Sequence, residues 1–158
     1  MTRPWKPSVT VAAIIERGGR FLLVEEETID GVRINQPAGH LDPGESLVDA
    51  AGRETLEETA HPFSPSALLG VYMWSSNTGR QSDATFVRFA FIGDVGSVDA
   101  TRKLDRGILR TFWLTTDELR VRQAEHRSPL VLQCVEDYLA GQRYPLTLLH
   151  THPSAIRP

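Results

Sequence analysis

The feature that most limits the fold is a pair of apolar runs near the start of the chain. Residues 9–15 are apolar apart from Thr10, and residues 21–24 are apolar throughout. Arg17-Gly18-Gly19 lies between them and has the composition of a hairpin turn. A strand with one wet face alternates apolar and polar residues, whereas these runs are nearly continuous. The sheet they begin is therefore expected to be covered on both faces.

The rest of the chain supplies the covering layers. Residues 32–36 read as a third strand, stopped by Pro37. Gly39, Asp42, Pro43 and Gly44 then read as loop. Ser46 is a candidate N-cap for a helix over residues 47–59. Further strands are expected over 68–74, 85–92 and 108–114, with a polar loop over 75–83. A second helix is expected from Ser128, with Pro129 at its first position, to Ala140, ending at Gly141. The expected class is α/β, a mixed β-sheet sandwiched between helices in an α/β/α arrangement. One domain is expected over 7–145, followed by an irregular tail over 146–158 that carries Pro153 and Pro158.

Composition narrows the function classes. The chain has 158 residues, 41% hydrophobic and 23% charged, enough for one core and too apolar for wholesale disorder. Its 17 basic and 20 acidic residues give a net charge of −3, which argues against a nucleic-acid polymer as partner. No apolar run approaches the roughly 20 residues that cross a bilayer. The opening Met-Thr-Arg-Pro-Trp-Lys-Pro has no apolar leader stretch, so the expected location is cytoplasmic, as monomer or homodimer. Cys134 stands alone and is expected to pack in the core.

The chemistry concentrates in residues 39–58. On a helix, Glu54, Glu57 and Glu58 lie at i, i+3 and i+4 and share one face about 100° wide. Val48, Gly52, Thr55, Leu56 and Thr59 fall on the opposite side, the stripe expected to be buried. Like charges at this spacing destabilise a helix by a few tenths of a kcal/mol per pair. Two readings are open: a solvated acidic face, or a site for a hard divalent cation such as Mg²⁺ or Mn²⁺, which prefers oxygen ligands and phosphate partners. The glycine- and proline-containing loop just upstream favours the second, because it can bring backbone carbonyls to the same place.

The stretch from Gly39 to His61 resembles the signature of the Nudix hydrolases: Gly, five residues, Glu, seven residues, Arg-Glu, aliphatic, any, Glu-Glu, any, Gly, aliphatic. Gly39, Glu45, Arg53, Glu54, Glu57 and Glu58 match in register. Thr55 and His61 stand where aliphatic residues are usual, and Ala60 stands in place of the glycine that suits a left-handed helix end. Outside this box, Val24-Glu25-Glu26, the 35–41 stretch, Trp74, Arg88, Arg127-Ser128-Pro129-Leu130-Val131 and Gly141-Gln142-Arg143-Tyr144-Pro145-Leu146 resemble the phosphatase NudJ subgroup.

The resemblance implies hydrolysis of phosphoanhydride bonds in small phosphorylated heterocycles, with Mg²⁺ or Mn²⁺ as cofactor. It implies Glu54, Glu57, Glu58 and the Gly39 carbonyl as metal ligands, and a Glu45–Arg53 ion pair that holds the catalytic helix. The water-activating base is left between Glu57 and Asp105. Arg33 and Arg88 are candidate phosphate contacts, against the plainer reading of exposed strand arginines. Trp74, with Tyr72 or Phe91, is a candidate stacking surface. His40 adjoins the metal loop and is expected to make a loop hydrogen bond, and His150 and His152 form no recognised metal spacing. Terminal-phosphate release from nucleoside tri- and diphosphates and from the thiamine pyrimidine precursor pyrophosphate is the leading expectation. A pyrophosphate-releasing nucleoside triphosphate hydrolase is the alternative. An inactive binding module would be expected to lose box carboxylates, and none is missing.

Overall fold

The computed structural model describes residues 1–77 and 83–158, so the middle of the polar loop expected over 75–83 lies outside the described residues. The strands are β1 (Ser8–Ile14), β2 (Glu16–Arg17), β3 (Arg20–Thr28), β4 (Gly31–Asn35), β5 (Ala38–His40), β6 (Phe63–Ser75), β7 (Thr85–Val95) and β8 (Ile108–Thr115). The α-helices are α1 (Leu47–Thr59), α2 (Thr116–Val121) and α3 (Leu130–Leu139). They build a mixed α/β sandwich.

The sheet layer is made of two four-stranded sheets. One has the order β5-β1-β7-β6, with β1 and β7 parallel and the other neighbours antiparallel. The other is built around β3, which pairs with β8 on one edge and with β2 and β4 on the opposite edge.

The continuous apolar runs are explained by what covers them. Val11, Ala13 and Ile15 join Leu22, Ala50, Ala51 and Phe91 in a core under α1. Ile14, Phe21 and Leu23 join Leu69, Val131, Cys134 and Val135 in a second core under α3. Alternate residues of the same strands thus feed two cores, and neither face is left to water. Cys134 is fully buried, as expected.

Helix α1 starts and stops on local chemistry. The Ser46 hydroxyl accepts from the Asp49 N–H at 3.0 Å. At the other end Ala60 adopts φ 59° and ψ 17°, and its N–H reaches the Leu56 carbonyl at 2.9 Å. The expected left-handed helix end is therefore present, occupied by an alanine.

Four expectations change. Gly39 belongs to the short strand β5, paired opposite Val11, and not to a loop. Helix α3 begins at Leu130, with Pro129 as its N-cap residue. Helix α2 was not anticipated, although Thr115 and Glu118 form a full capping box. The buried stripe of α1 is Ala50, Ala51, Thr55 and Thr59, joined by Glu54 and Glu58, whereas Val48 and Leu56 are only half-buried. The acidic face is thus not a solvated one.

Candidate active site

Glu54 and Glu58 are buried because α1 turns that face toward β5 and the cleft beside it. The contact is close: a Cβ placed on Gly39 would land on the Glu54 carboxylate. Only glycine leaves room there, which gives the first motif position its physical reason. Glu58 Oε2 accepts from the Ala38 N–H at 3.0 Å, tying the helix to the same strand.

Arg53 organises the acids around itself. Its Nε and Nη2 grip both oxygens of Glu45, at 2.9 and 2.7 Å. Nη1 reaches Glu54 Oε1 at 2.9 Å and Glu57 Oε2 at 3.2 Å, and Nη2 also donates to the His40 carbonyl at 3.0 Å. A planar guanidinium presents five donors in a fixed fork, and this site uses the fork from several sides. The Arg53 bonds hold the Glu45 carboxyl below its usual range, while the guanidinium itself is held further into its charged form.

Burial works the other way on Glu54 and Glu58. Desolvation raises Glu54 against the pull of Arg53, with Glu57 and Asp105 adding repulsion. Desolvation pushes Glu58 up to about 9, opposed by the Ala38 N–H and reinforced by Glu26, Glu54 and Asp105. Glu54, Glu57, Glu58 and Asp105 crowd together, and the cation bonded to two of them is Arg53.

Glu54, Glu57 and Asp105 each offer an oxygen, all within 4.8 Å of one another. Asp105 reaches them because its loop is pinned to the helix, its N–H donating to the Glu57 carbonyl at 2.9 Å. A cluster of hard oxygen donors with an uncompensated charge suits Mg²⁺ or Mn²⁺. Glu58 stands beside the trio with one oxygen engaged by β5.

The cleft above has a volume of about 410 Å³, within the range of small-molecule sites. Its lining includes Gly39, Arg53, Glu54 and Glu58 at one part and Trp74, Phe86, Arg88 and Arg127 at others. Trp74 stacks on Phe86, with ring centroids 5.7 Å apart and planes 21° apart. The aromatic partners expected for it are elsewhere: Phe91 is wholly buried, and the Tyr72 hydroxyl donates to Asp137 at 2.7 Å.

The two expected phosphate contacts part company. Arg33 donates to the neighbouring Val32 carbonyl at 2.9 Å and is not among the residues lining the cleft. Arg88 lines the cleft but is buried, donating to Gln36 Oε1 and Asn35 Oδ1, both at 2.9 Å. Its strand β7 lies beside β1 in the middle of the sheet, so its guanidinium ends inside the protein. Arg127, which single-residue reasoning passed over, lines the cleft instead, with Nη1 3.9 Å from Glu26 Oε1. The resemblance of the 127–131 segment was the only signal along the chain, because this segment meets β4 only in the fold, the Arg127 N–H donating to the Ile34 carbonyl at 2.8 Å.

Known proteins share this arrangement. The family profile described as NUDIX domain matches residues 4–134. The chain belongs to the Nudix hydrolase family. It is 38% identical to the protein named Phosphatase NudJ of Shigella boydii serotype 4 (strain Sb227) over 146 residues, 92% of each chain. The Phosphatase NudJ of Escherichia coli (strain K12) matches to the same extent. Among solved structures, a NUDIX hydrolase from Nitrosomonas europaea is 52% identical with a TM-score of 0.89, covering 94% of this chain and 99% of that one. A MutT NUDIX hydrolase from Burkholderia pseudomallei shares the fold at 20% identity and a TM-score of 0.70, covering 84% and 98%. The chain is thus a Nudix enzyme, and α1 carries the motif residues Arg53, Glu54, Glu57 and Glu58.

Proposed function

We propose that this Nudix hydrolase removes the terminal phosphate from small phosphorylated heterocycles. Its substrates are nucleoside tri- and diphosphates and the pyrophosphate ester of the thiamine pyrimidine precursor. The observation that carries the reading is the acidic trio Glu54, Glu57 and Asp105, two of them bonded to Arg53, with Glu54 lining a cleft that has an aromatic wall. The likeness to proteins named Phosphatase NudJ supports the choice of phosphatase over other hydrolases.

The residues divide the work as phosphoryl transfer requires, which is mostly positioning and charge neutralisation. Glu54, Glu57, Glu58 and the Gly39 carbonyl are assigned to a Mg²⁺ or Mn²⁺ ion. When bound, that ion neutralises charge on the phosphate oxygens. Glu45 and Arg53 hold the helix and aim its carboxylates. Either Glu57 or Asp105 takes the proton of the attacking water. Trp74 and Phe86 stack the heterocycle. Arg88, committed to Asn35 and Gln36, braces the floor, and Arg127 is the cation left for the phosphate chain. The catalytic domain is assigned to 7–145, acting in the cytoplasm.

Separating the products of GTP hydrolysis tests the reading. GDP with orthophosphate is expected. GMP with inorganic pyrophosphate as first products would select the pyrophosphohydrolase alternative, and undiminished turnover in excess chelator would remove the metal assignment altogether.

A further inference from the structure

After α3 the chain returns to the threshold of the Nudix helix. Leu68 and Tyr144 exchange both backbone hydrogen bonds, at 2.9 and 2.8 Å, and Leu146 and Leu149 pack against the core under α1. A 3₁₀ turn over Pro153–Ala155 follows, capped by His152 Nδ1, which accepts from the Ser154 N–H at 3.1 Å. This His-Pro-Ser cap shapes an exposed segment locally, which lowers the entropy lost when it docks.

What it docks on is the turn that leads into the site. Ile156 forms a parallel bridge with Gly44, and the Arg157 N–H donates to the Gly44 carbonyl at 3.1 Å. The Arg157 side chain lies across the face of Gly44, 2.9 Å from where a Cβ would stand. Gly44 has φ +89°, a conformation that side chains resist. The next residue is Glu45, which accepts from the Asp42 N–H at 2.8 Å and receives two bonds from Arg53.

From these contacts we infer that Ile156 and Arg157 are positioning residues for the hydrolytic site. Their backbone holds the 42–45 turn so that Glu45 meets Arg53, and through Arg53 it aligns Glu54 and Glu57. The path is continuous: Arg157 to Gly44, Glu45 to Arg53, Arg53 to Glu54 and Glu57. The inference rests on the reading of that trio as a cation site.

Binding of Mn²⁺ alone, followed by its EPR signal, tests the strap in the full chain, in a chain ending at Thr151, and in Arg157→Pro and Arg157→Ala. The truncation and Arg157→Pro remove the donor to Gly44. Each is expected to weaken Mn²⁺ binding several-fold, toward the low end of the roughly 10–100-fold that loss of outer partners costs. Arg157→Ala keeps the N–H and is expected to bind nearly as the unmodified chain does. In a Glu45→Gln background the truncation should add little, because both act on the same link. Unchanged Mn²⁺ affinity after truncation, or losses that simply multiply with Glu45→Gln, overturns the inference. Hydrogen exchange at the amides of Asp42, Gly44 and Glu45 gives a readout without metal. Faster exchange in the truncated chain supports the strap and unchanged protection sinks it, whereas an unmodified chain that binds no Mn²⁺ sinks the cation reading instead.

Discussion

Two arginines in this protein are each gripped by glutamates, and they could hardly be more differently placed. Arg53 serves Glu45, Glu54 and Glu57 at the edge of the cleft. Arg122 grips Glu125 through two 2.8 Å bonds and reaches Glu25 at 3.4 Å, while Arg110 binds Glu25 from the other side. The second cluster balances two cations against two acids, with both guanidiniums over the Phe112 ring at 5.3 and 4.7 Å. The first leaves one cation among an excess of half-buried acids. Ion pairs alone do not mark a functional site; an uncompensated charge beside a cleft does.

The comparison breaks most directly at Gly39. Gly39→Ala puts a methyl group where the Glu54 carboxylate lies. Displacing a reacting group by about 1 Å costs roughly 10²-fold, so turnover is expected to fall at least that far while the core persists. Steady-state kinetics beside a thermal melt would show it, and near-normal turnover would mean that Glu54 can move without penalty.

Arg53→Ala comes next. Loss of a residue that orients ligands costs roughly 10–100-fold in metal affinity or activity, and Arg53→Lys should recover only part of it because an ammonium lacks the fork. Metal titration of both variants checks this. Full rescue by lysine would reduce Arg53 to a point charge.

Glu54 and Glu58 should also titrate in the opposite direction to Glu125. Glu54 and Glu58 are raised in the folded protein, so the fold keeps protons that the unfolded chain, at an ordinary value of 4.5, releases. Their contribution to stability is full below about 4.5 and, for Glu58, is lost as the pH climbs to about 9. Glu125 is lowered by its Arg122 bonds, so its small contribution is present above 4.5 and lost on acidification. Melting of the chelated protein should therefore decline from pH 5 toward 9, and Mg²⁺ should flatten the decline. A chelated protein without such a slope would place Glu58 in water.

Smaller effects belong to the helix end and the surface. Ala60→Gly relieves a left-handed alanine, whose penalty is roughly 1–2 kcal/mol, against the entropy that glycine adds to the unfolded chain. A gain of about 0.5–1 kcal/mol in denaturant melts is expected, and a loss would show that the buried Ala60 methyl packs better than its backbone strains. Arg122→Ala is the control: unaltered turnover is expected, since Arg122 and its partners Glu125 and Glu25 are not among the residues lining the cleft. A large loss of turnover there would erase the distinction between the two clusters.

Much of the site could be read along the chain because its glutamates share one helix. Glu54, Glu57 and Glu58 meet by the period of an α-helix alone, Ser46 caps that helix locally, and Ala60 ends it locally. Glu45 and Arg53 are eight residues apart, joined by a turn and a helix, so their pairing also follows from spacing. The continuous runs of β1 and β3 announced a sheet covered on both faces for the same reason: periodicity is a property of the chain.

What lay outside that reach depends on elements that are distant in sequence. The burial of Glu54 and Glu58 came from the approach of β5, whose three residues carry no pattern strong enough to separate from loop. Asp105 joined Glu57 because a loop folded back across nearly fifty positions. Arg88 turned inward because β7 pairs beside β1 and offers it Asn35 and Gln36, while Arg33, on β4, donates to the Val32 carbonyl. Residues 156 and 157 reached Gly44 after more than a hundred positions of intervening chain. Local sequence determined which side chains exist in register on each element, because backbone geometry repeats over a few residues. Only the tertiary structure decided which of those side chains are dry, paired or open to the cleft, because desolvation and charge depend on what packs from elsewhere.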